Sequence, residues 1–381
     1  PNEPVLTVVA PLIDAQIVET AILAQVNHQS LVATKTARIV KAAEGKAVSD
    51  FGARRAHNMD AAVYGARASY IGGAAGTATV LAGQMFGIPV SGTMAHSWVM
   101  YYKDEYEAFK HYAENYPDNT VLLVDTYDTI QSGIPNAIRV AREVLEPMGK
   151  RLKGIRIDSG DLAYQSIKVR KMLDDAGLTD CKIIVSNSLD EHTISSLNMQ
   201  KARIDGYGVG ERLITGASSD YSEDSISLLG AVYKIAAVEE NGEFSPRIKV
   251  SGSVEKITNP GLKKVYRVYD QNGKAKADLI AKADETIDMS TEFRFVDPDM
   301  PWRNLKFTHC TVKPLQEKIF ENGKLIYKLP TLEEIRAYVK KQLEEEIWEE
   351  EQRFVNPHKH YMDMTPDYYD MKMSLLNDSR V

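Results

Sequence analysis

Cysteine is almost absent: Cys181 and Cys310 are the only two in 381 residues. Two thiols so far apart build no disulfide framework and have no metal-ligand spacing, and they suit a reducing compartment. No apolar run approaches the roughly 20 residues needed to span a bilayer. A cleavable signal pattern is missing as well, so a cytoplasmic protein with no membrane partner is expected. Basic excess is also lacking. The formal net charge is −7, which argues against a nucleic-acid partner. Part of that charge is local, because residues 331–381 hold twelve Asp/Glu and seven Lys/Arg, a net of −5 that leaves −2 for the rest. The nearly neutral body can bind anions wherever arginines converge. The chain opens Pro1-Asn-Glu-Pro and runs at once into the strand-like Val5-Leu-Thr-Val-Val, so an upstream segment is expected.

What is present is a rhythm. Residues 12–43 carry a helical pattern, with Ile13, Ile17, Ala21, Ile22, Ala24 and Val26 at three- and four-residue steps. Short apolar runs at 46–50, 70–73, 88–91, 120–125, 154–158, 182–186 and 205–209 predict strands. Helices are predicted between them, at about 57–68, 77–86, 103–115, 134–146, 161–176 and 190–200. This alternation argues for parallel βαβ units. Seven strands without a GxGxxG fingerprint favour barrel-like closure over a dinucleotide-binding sheet. After residue 215 the rhythm changes. The Gly/Ser/Asp-rich stretch 216–225 reads as a flexible loop, and Ala231–Val238 and Val265–Asp270 read as strands of an antiparallel region. Residues 331–353 predict an amphipathic helix with Leu332, Ile335, Val339, Leu343 and Ile347 on one face and its glutamate runs in solvent.

Side chains with chemistry cluster at predicted strand ends: Asp50, His96, Asp125, Asp158, Ser186 and Gly208. In a barrel these ends converge on one face. His96 closes Ser91-Gly-Thr-Met-Ala-His, and an imidazole there can shuttle protons or act as a nucleophile. A lone histidine is commonly structural, so its neighbours decide. Asp50-Phe-Gly-Ala-Arg-Arg puts an aromatic ring beside guanidinium forks that suit phosphate, or else a surface arginine pair behind a cap. Arg156-Ile-Asp-Ser-Gly-Asp offers a cation, a carboxylate for ribose hydroxyls or a metal, and a Ser159 hydroxyl; the same turn also reads as an N-cap by Ser159 or Asp161. Ser186-Asn-Ser-Leu-Asp repeats the device. Gly206-Tyr-Gly-Val-Gly lets backbone approach a phosphate closely.

These motifs, with Gly76-Thr-Ala-Thr, occur in one order, and in that order the chain resembles nicotinate phosphoribosyltransferase over nearly its full length, with the family's N-terminal portion absent. The resemblance implies an α/β fold: an incomplete parallel α/β barrel, a second mixed, largely antiparallel β domain and a C-terminal helical tail. On it, residues 1–35 form part of the mixed domain and a leading helix, 36–215 the barrel, 216–330 the antiparallel region and 331–381 the tail. It implies that nicotinate and phosphoribosyl pyrophosphate give nicotinate mononucleotide and pyrophosphate, with coupled ATP hydrolysis, Mg²⁺, and a homodimer sharing its active site. His96 then looks like a phosphohistidine, and Arg156 and Asp158 like residues near the pyridine ring and ribose. Phe51 resembles an aromatic that stacks on the base and Arg54 a phosphate contact. Gly208 and Gly210 resemble a 5′-phosphate loop, with Ser186 and Asn187 nearby, and Ser159 is expected to bind substrate. Nicotinamide-using relatives have an aspartate where this chain has Ala78, so acid is expected over amide; alternatively Ala78 is a small packing residue on a helix. The rival readings are a quinolinate or nicotinamide phosphoribosyltransferase and a non-catalytic nucleotide-binding member.

Overall fold

The computed structural model describes residues 3–217, 229–253, 256–288 and 292–378. The chain divides into two compact units, one of Gln25–Gly230 and one of Pro1–Ala24 with Ala231–Val381. The helices α1 (Leu12–Ile17) and α2 (Glu19–Ala42) open the chain.

The central unit is a six-stranded, wholly parallel sheet. Its strands are β1 (Ala47–Asp50), β2 (Gly76–Thr77), β3 (Val121–Leu123), β4 (Gly154–Ile157), β5 (Lys182–Ser186) and β6 (Gly206–Val209), in the order β2-β1-β6-β5-β4-β3. The ends β2 and β3 do not pair, so the barrel is incomplete, as the resemblance implied. Val48, Leu122, Leu123, Ile155, Ile157, Ile183, Val185, Tyr207 and Val209 are all buried. That is the signature of a parallel sheet covered on both faces. Between the strands run α3 (Met59–Ile71), α4 (Val80–Phe86), α5 (His96–Tyr101), α6 (Glu105–Asn115), α7 (Ile134–Val140), α8 (Leu162–Asp175) and α9 (Glu191–Met199), and α10 (Glu211–Thr215) follows β6. Side-chain caps start several of these helices. Asn58, Asp104, Asp161 and Asp190 each accept a backbone N–H from three residues on.

Two predicted strands of this unit are corrected. Residues 70–73 are the end of α3, which stops at Gly72, and the strand follows four residues later at Gly76. Residues 88–91 make only the bridge Thr77↔Val90. Pro89 has no N–H to extend a ladder, and its carbonyl lies where a Cβ on Gly76 would be, 2.5 Å away.

The second unit holds a six-stranded mixed sheet. Its strands are β9 (Lys263–Tyr269), β10 (Ala275–Lys282), β11 (Phe293–Val296), β12 (Asn304–Phe307), β13 (Thr311–Pro314) and β16 (Tyr361–Met364), ordered β12-β11-β16-β10-β9-β13. Only β10 and β16 pair in parallel. Two hairpins, β7 (Ala237–Glu240) with β8 (Glu243–Pro246) and β14 (Phe320–Glu321) with β15 (Lys324–Leu325), stand apart from it. Val268, Leu279, Phe295 and Phe307 form one core, and Ile280, Met364 and Tyr368 of α12 (Pro366–Asp378) form another.

Here too the structure departs from the sequence pattern. Val5–Val9 forms no strand, and Val5 and Val9 are exposed. Ala231–Ala236 joins no ladder, so the predicted strand is confined to β7. Helix α11 (Leu332–Lys341) continues only as a wider turn to Glu346 rather than running to 353. The Trp348 indole donates to Ala275 O at 2.6 Å, and that anchor pulls the chain off the helical path at Ile347. Glu346 leaves the solvated face: it is buried and accepts from the Tyr269 hydroxyl at 2.7 Å. The expected loop 216–225 falls largely outside the described residues.

Candidate active site

The parallel order carries the carboxyl ends of β1, β6, β5, β4 and β3 to one edge of the sheet. At the end of β1, Asp50 is fully buried. Its carboxylate accepts from Gly52 N (2.8 Å) and Thr77 Oγ1 (2.7 Å), which fixes the turn after the strand. Burial raises the Asp50 pKa, against those two hydrogen bonds. Phe51 N then donates to Val209 O at 2.8 Å, tying the turn to β6. A Cβ on Gly208 would stand 2.4 Å from the Phe51 ring, so the glycine is what lets the ring lie against the strand.

The other face of that space belongs to Arg156, whose guanidinium carbon is 5.8 Å from the Phe51 ring centroid. Arg156 Nη1 donates to Thr93 Oγ1 at 2.5 Å, while its buried Nε has no hydrogen-bond partner. Burial lowers the Arg156 pKa, and the charges of Asp158 and Asp125 oppose that shift. One residue beyond β4, Asp158 accepts from the Ser186 hydroxyl, and its Oδ2 lies 3.6 Å from His96 Nε2. His96 Nδ1 bonds Thr126 Oγ1 at 3.1 Å, and Asp125 Oδ1 is 3.9 Å from Nε2. Asp125 Oδ2 accepts from Asp158 N (3.0 Å) and Ser159 Oγ (2.5 Å). An aromatic face, a cation, an imidazole and two carboxylates therefore meet at the sheet edge.

Of the residues expected from sequence, His96, Arg156, Asp158, Ser159, Ser186, Phe51 and Gly208 are joined by these contacts. Arg54 is exposed and lies close enough for its charge to act on Arg156. Asn187 follows β5 with φ +88° and Ser188 with φ +49°. Two consecutive non-glycine residues in that region store strain of the kind found at binding sites. Gly208 lies inside β6, and Gly210 opens the turn into α10. Ala78 is not on a helix: it is exposed in the loop before α4, held by its N–H on Asp50 O at 2.8 Å. The Ser159 hydroxyl is taken by Asp125, and Asp161 is the cap of α8, accepting from Tyr164 N at 2.9 Å. The sequence reading missed Thr93 and Thr126 and gave Asp125 no role. Asp125 alone had a signal, its place at a strand end.

Among the described residues, no three His, Cys, Asp or Glu side chains form a metal cage. Asp125 Oδ1 is nonetheless buried without a hydrogen-bond partner, and Asp158 sits beside it. Mg²⁺ commonly takes one or two carboxylates and completes its shell with water and phosphate oxygens, so this pair fits it.

Residues 46–278 match the nicotinate phosphoribosyltransferase (NAPRTase) family, and residues 262–372 match the nicotinate phosphoribosyltransferase C-terminal domain. The nicotinate phosphoribosyltransferase of Bacillus subtilis is 48% identical over 380 residues, covering 99% of this chain and 75% of that protein. The human nicotinate phosphoribosyltransferase is 30% identical over 391 residues, covering 88% of this chain and 70% of its own length. Among solved structures, human nicotinic acid phosphoribosyltransferase superposes with a TM-score of 0.80 at 28% identity, covering 96% of this chain and 78% of that one. Nicotinate-nucleotide pyrophosphorylase from Pyrococcus furiosus superposes with a TM-score of 0.62 at 28% identity, covering 86% and 73%.

Proposed function

The chain belongs to the nicotinate phosphoribosyltransferase family, and on that premise we propose that it joins nicotinate to phosphoribosyl pyrophosphate in NAD biosynthesis, with ATP hydrolysis coupled through His96. The observation that carries this reading is the meeting of Arg156, Phe51, His96 and Asp158 at one sheet edge. The Phe51 ring offers a flat face for the pyridine, and Arg156 a cation for its carboxylate. Ala78 puts no carboxylate at its own position, where one would repel the acid.

The pyridine nitrogen attacks C1 of the ribose and pyrophosphate departs with the bonding pair, so the protein supplies no nucleophile for this step. By analogy with glycoside chemistry the transition state resembles an oxocarbenium ion. The residues' work is then to align base and sugar and to exclude water. On this reading Asp158 and Ser186 hold ribose hydroxyls, Arg54 and Asn187 meet phosphate oxygens, and the Gly208–Gly210 backbone lies close to the 5′-phosphate. Asp125 and Asp158 would hold Mg²⁺, which when bound screens the phosphate charges.

The ATP-linked step uses the His96 tautomer that carries its proton on Nδ1, within hydrogen-bond reach of Thr126 Oγ1, so that the Nε2 lone pair is free. Nε2 attacks the γ-phosphorus, ADP leaves, and water later releases phosphate from the imidazole. The phosphoryl group adds negative charge beside Asp158 and Asp125, which would organise the cation and the pyrophosphate pocket and so link ATP use to substrate affinity. A homodimer belongs to the same reading. Val80, Leu81, Met85 and Val90 are exposed in the barrel unit, and Val5, Val9, Ile13 and Ile17 in the other, apolar side chains that a second copy would cover on this reading.

The test supplies full-length protein with nicotinate, phosphoribosyl pyrophosphate, Mg²⁺ and ATP and follows mononucleotide formation. Faster formation with ATP than without supports the reading. Preferential use of nicotinamide or quinolinate, or no turnover of any pyridine, would sink it.

A further inference from the structure

In the unit built on the mixed sheet, two aspartates on neighbouring strands lie buried. β11 and β16 run antiparallel through Val296↔Met364. Asp297, just past β11, and Asp363, within β16, flank that pair on the two strands, close enough for the charge of Asp297 to act on Asp363. Asp363 is fully buried and Asp297 is 2% exposed. Neither Asp363 oxygen has a hydrogen-bond partner, and Asp297 Oδ2 has none either. Only Asp297 Oδ1 is satisfied, by the N–H groups of Asp299 (2.9 Å) and Met300 (3.1 Å).

The neighbouring cations are committed elsewhere. Lys359 Nζ bonds Asp299 at 2.8 Å, and His360 sits between Asp278 (3.2 Å) and Glu351 (3.0 Å). Arg303 donates to the Tyr361 hydroxyl at 3.2 Å and lies over that ring, bringing charge near without a hydrogen bond to Asp363. Three buried carboxylate oxygens on these two neighbouring strands thus lack donors. Like charges on neighbouring strands are destabilising, and buried acceptors without donors cost stability. A single shared proton would sit on one oxygen and be accepted by a second, leaving the third bare. A cation can ligate all three, and a divalent one balances both charges.

We propose that Asp297 and Asp363 bind a divalent, oxygen-seeking cation of the calcium class, which ties the loop after β11 to β16. Calcium tolerates irregular shells and takes backbone carbonyls and water for its remaining ligands. The site is separate from the carboxylates assigned to the reaction.

The experiment strips the full-length chain with a chelator and follows its melting temperature at pH 7.5, without substrates, as Ca²⁺ rises from micromolar to millimolar. A rise of several degrees that saturates is expected in the unaltered chain and in D125N, and its loss in D297N and D363N. Should D363N fail to fold, calorimetric titration compares the unaltered chain with D297N: a one-site heat lost in D297N supports the site, and equal heats overturn it. A melting temperature indifferent to Ca²⁺ would also overturn it, as would a rise that both aspartate variants retain. So would a protein that gains stability on acidification while ignoring Ca²⁺, the mark of a shared proton.

Discussion

Arg156 is positioned at its guanidinium by one hydroxyl, that of Thr93, whose own proton goes to Met94 O at 3.3 Å. Replacing Thr93 by Val keeps the shape and removes the acceptor. A hydrogen bond to a charged group is worth about 1.5–3 kcal/mol, so the nicotinate KM should rise roughly tenfold or more while kcat changes little; steady-state kinetics reads the split. Ala78→Asp should move the ratio of acid to amide use toward the amide by about tenfold, the effect of roughly 1.4 kcal/mol, and an unchanged ratio would defeat the specificity argument. His96→Ala should abolish stimulation by ATP and keep basal synthesis, measured as mononucleotide formed with and without ATP. At this scale the sequence shows which side chains could carry chemistry but not what they touch. Thr93 and Arg156 are 63 positions apart, and Ser186 and Asp158 28 apart. No local pattern reports such distances.

At the level of elements, α2 and α9 are joined by a buried ion pair. Glu191 Oε2 pairs with Lys35 Nζ across 2.7 Å, its Oε1 accepts from Arg38 Nε at 2.9 Å, and Glu191 and Lys35 are almost wholly buried. Burial alone would raise the Glu191 pKa, but the Lys35 and Arg38 contacts outweigh it and hold the group below the usual carboxylate range. Glu191→Gln leaves the buried Lys35 charge without its counter-ion and should cost about 3–5 kcal/mol in urea unfolding. Because the folded pKa is depressed, the pair's contribution is present above the unfolded value of about 4.3 and is lost as pH falls through the folded value. Urea midpoints of the unaltered chain and E191Q should therefore converge on acidification. Elements were legible where the hydrophobic period was local, as in β4, β5, α6, α8 and α9. They were misplaced where a distant contact decides, as at Trp348, whose bond to Ala275 ends the helical run that the apolar spacing extends to 353.

For the whole molecule, the exposed apolar residues Val80, Leu81, Met85 and Val90 give the dimer reading a handle. Replacing Val80 by Asp and Met85 by Lys should shift sedimentation toward the monomer. The fold of the separate units should survive, since both side chains are already in solvent. The mixed sheet was legible only in outline. Antiparallel runs such as 265–270 announced themselves by alternation, but nothing local told that β16, near the chain's end, pairs in parallel with β10.

The sequence by itself determined the alternation of strands and helices and which ionisable and hydroxyl side chains stand at strand ends, because side-chain period and residue chemistry are properties of neighbouring positions. The strand order that gathers Phe51, His96, Arg156, Asp158 and Ser186, the threonines that hold them and the two buried aspartates of the mixed sheet were decided only by the tertiary structure. Those depend on pairing between segments far apart in the chain, where burial and the need to satisfy every polar group choose the partners.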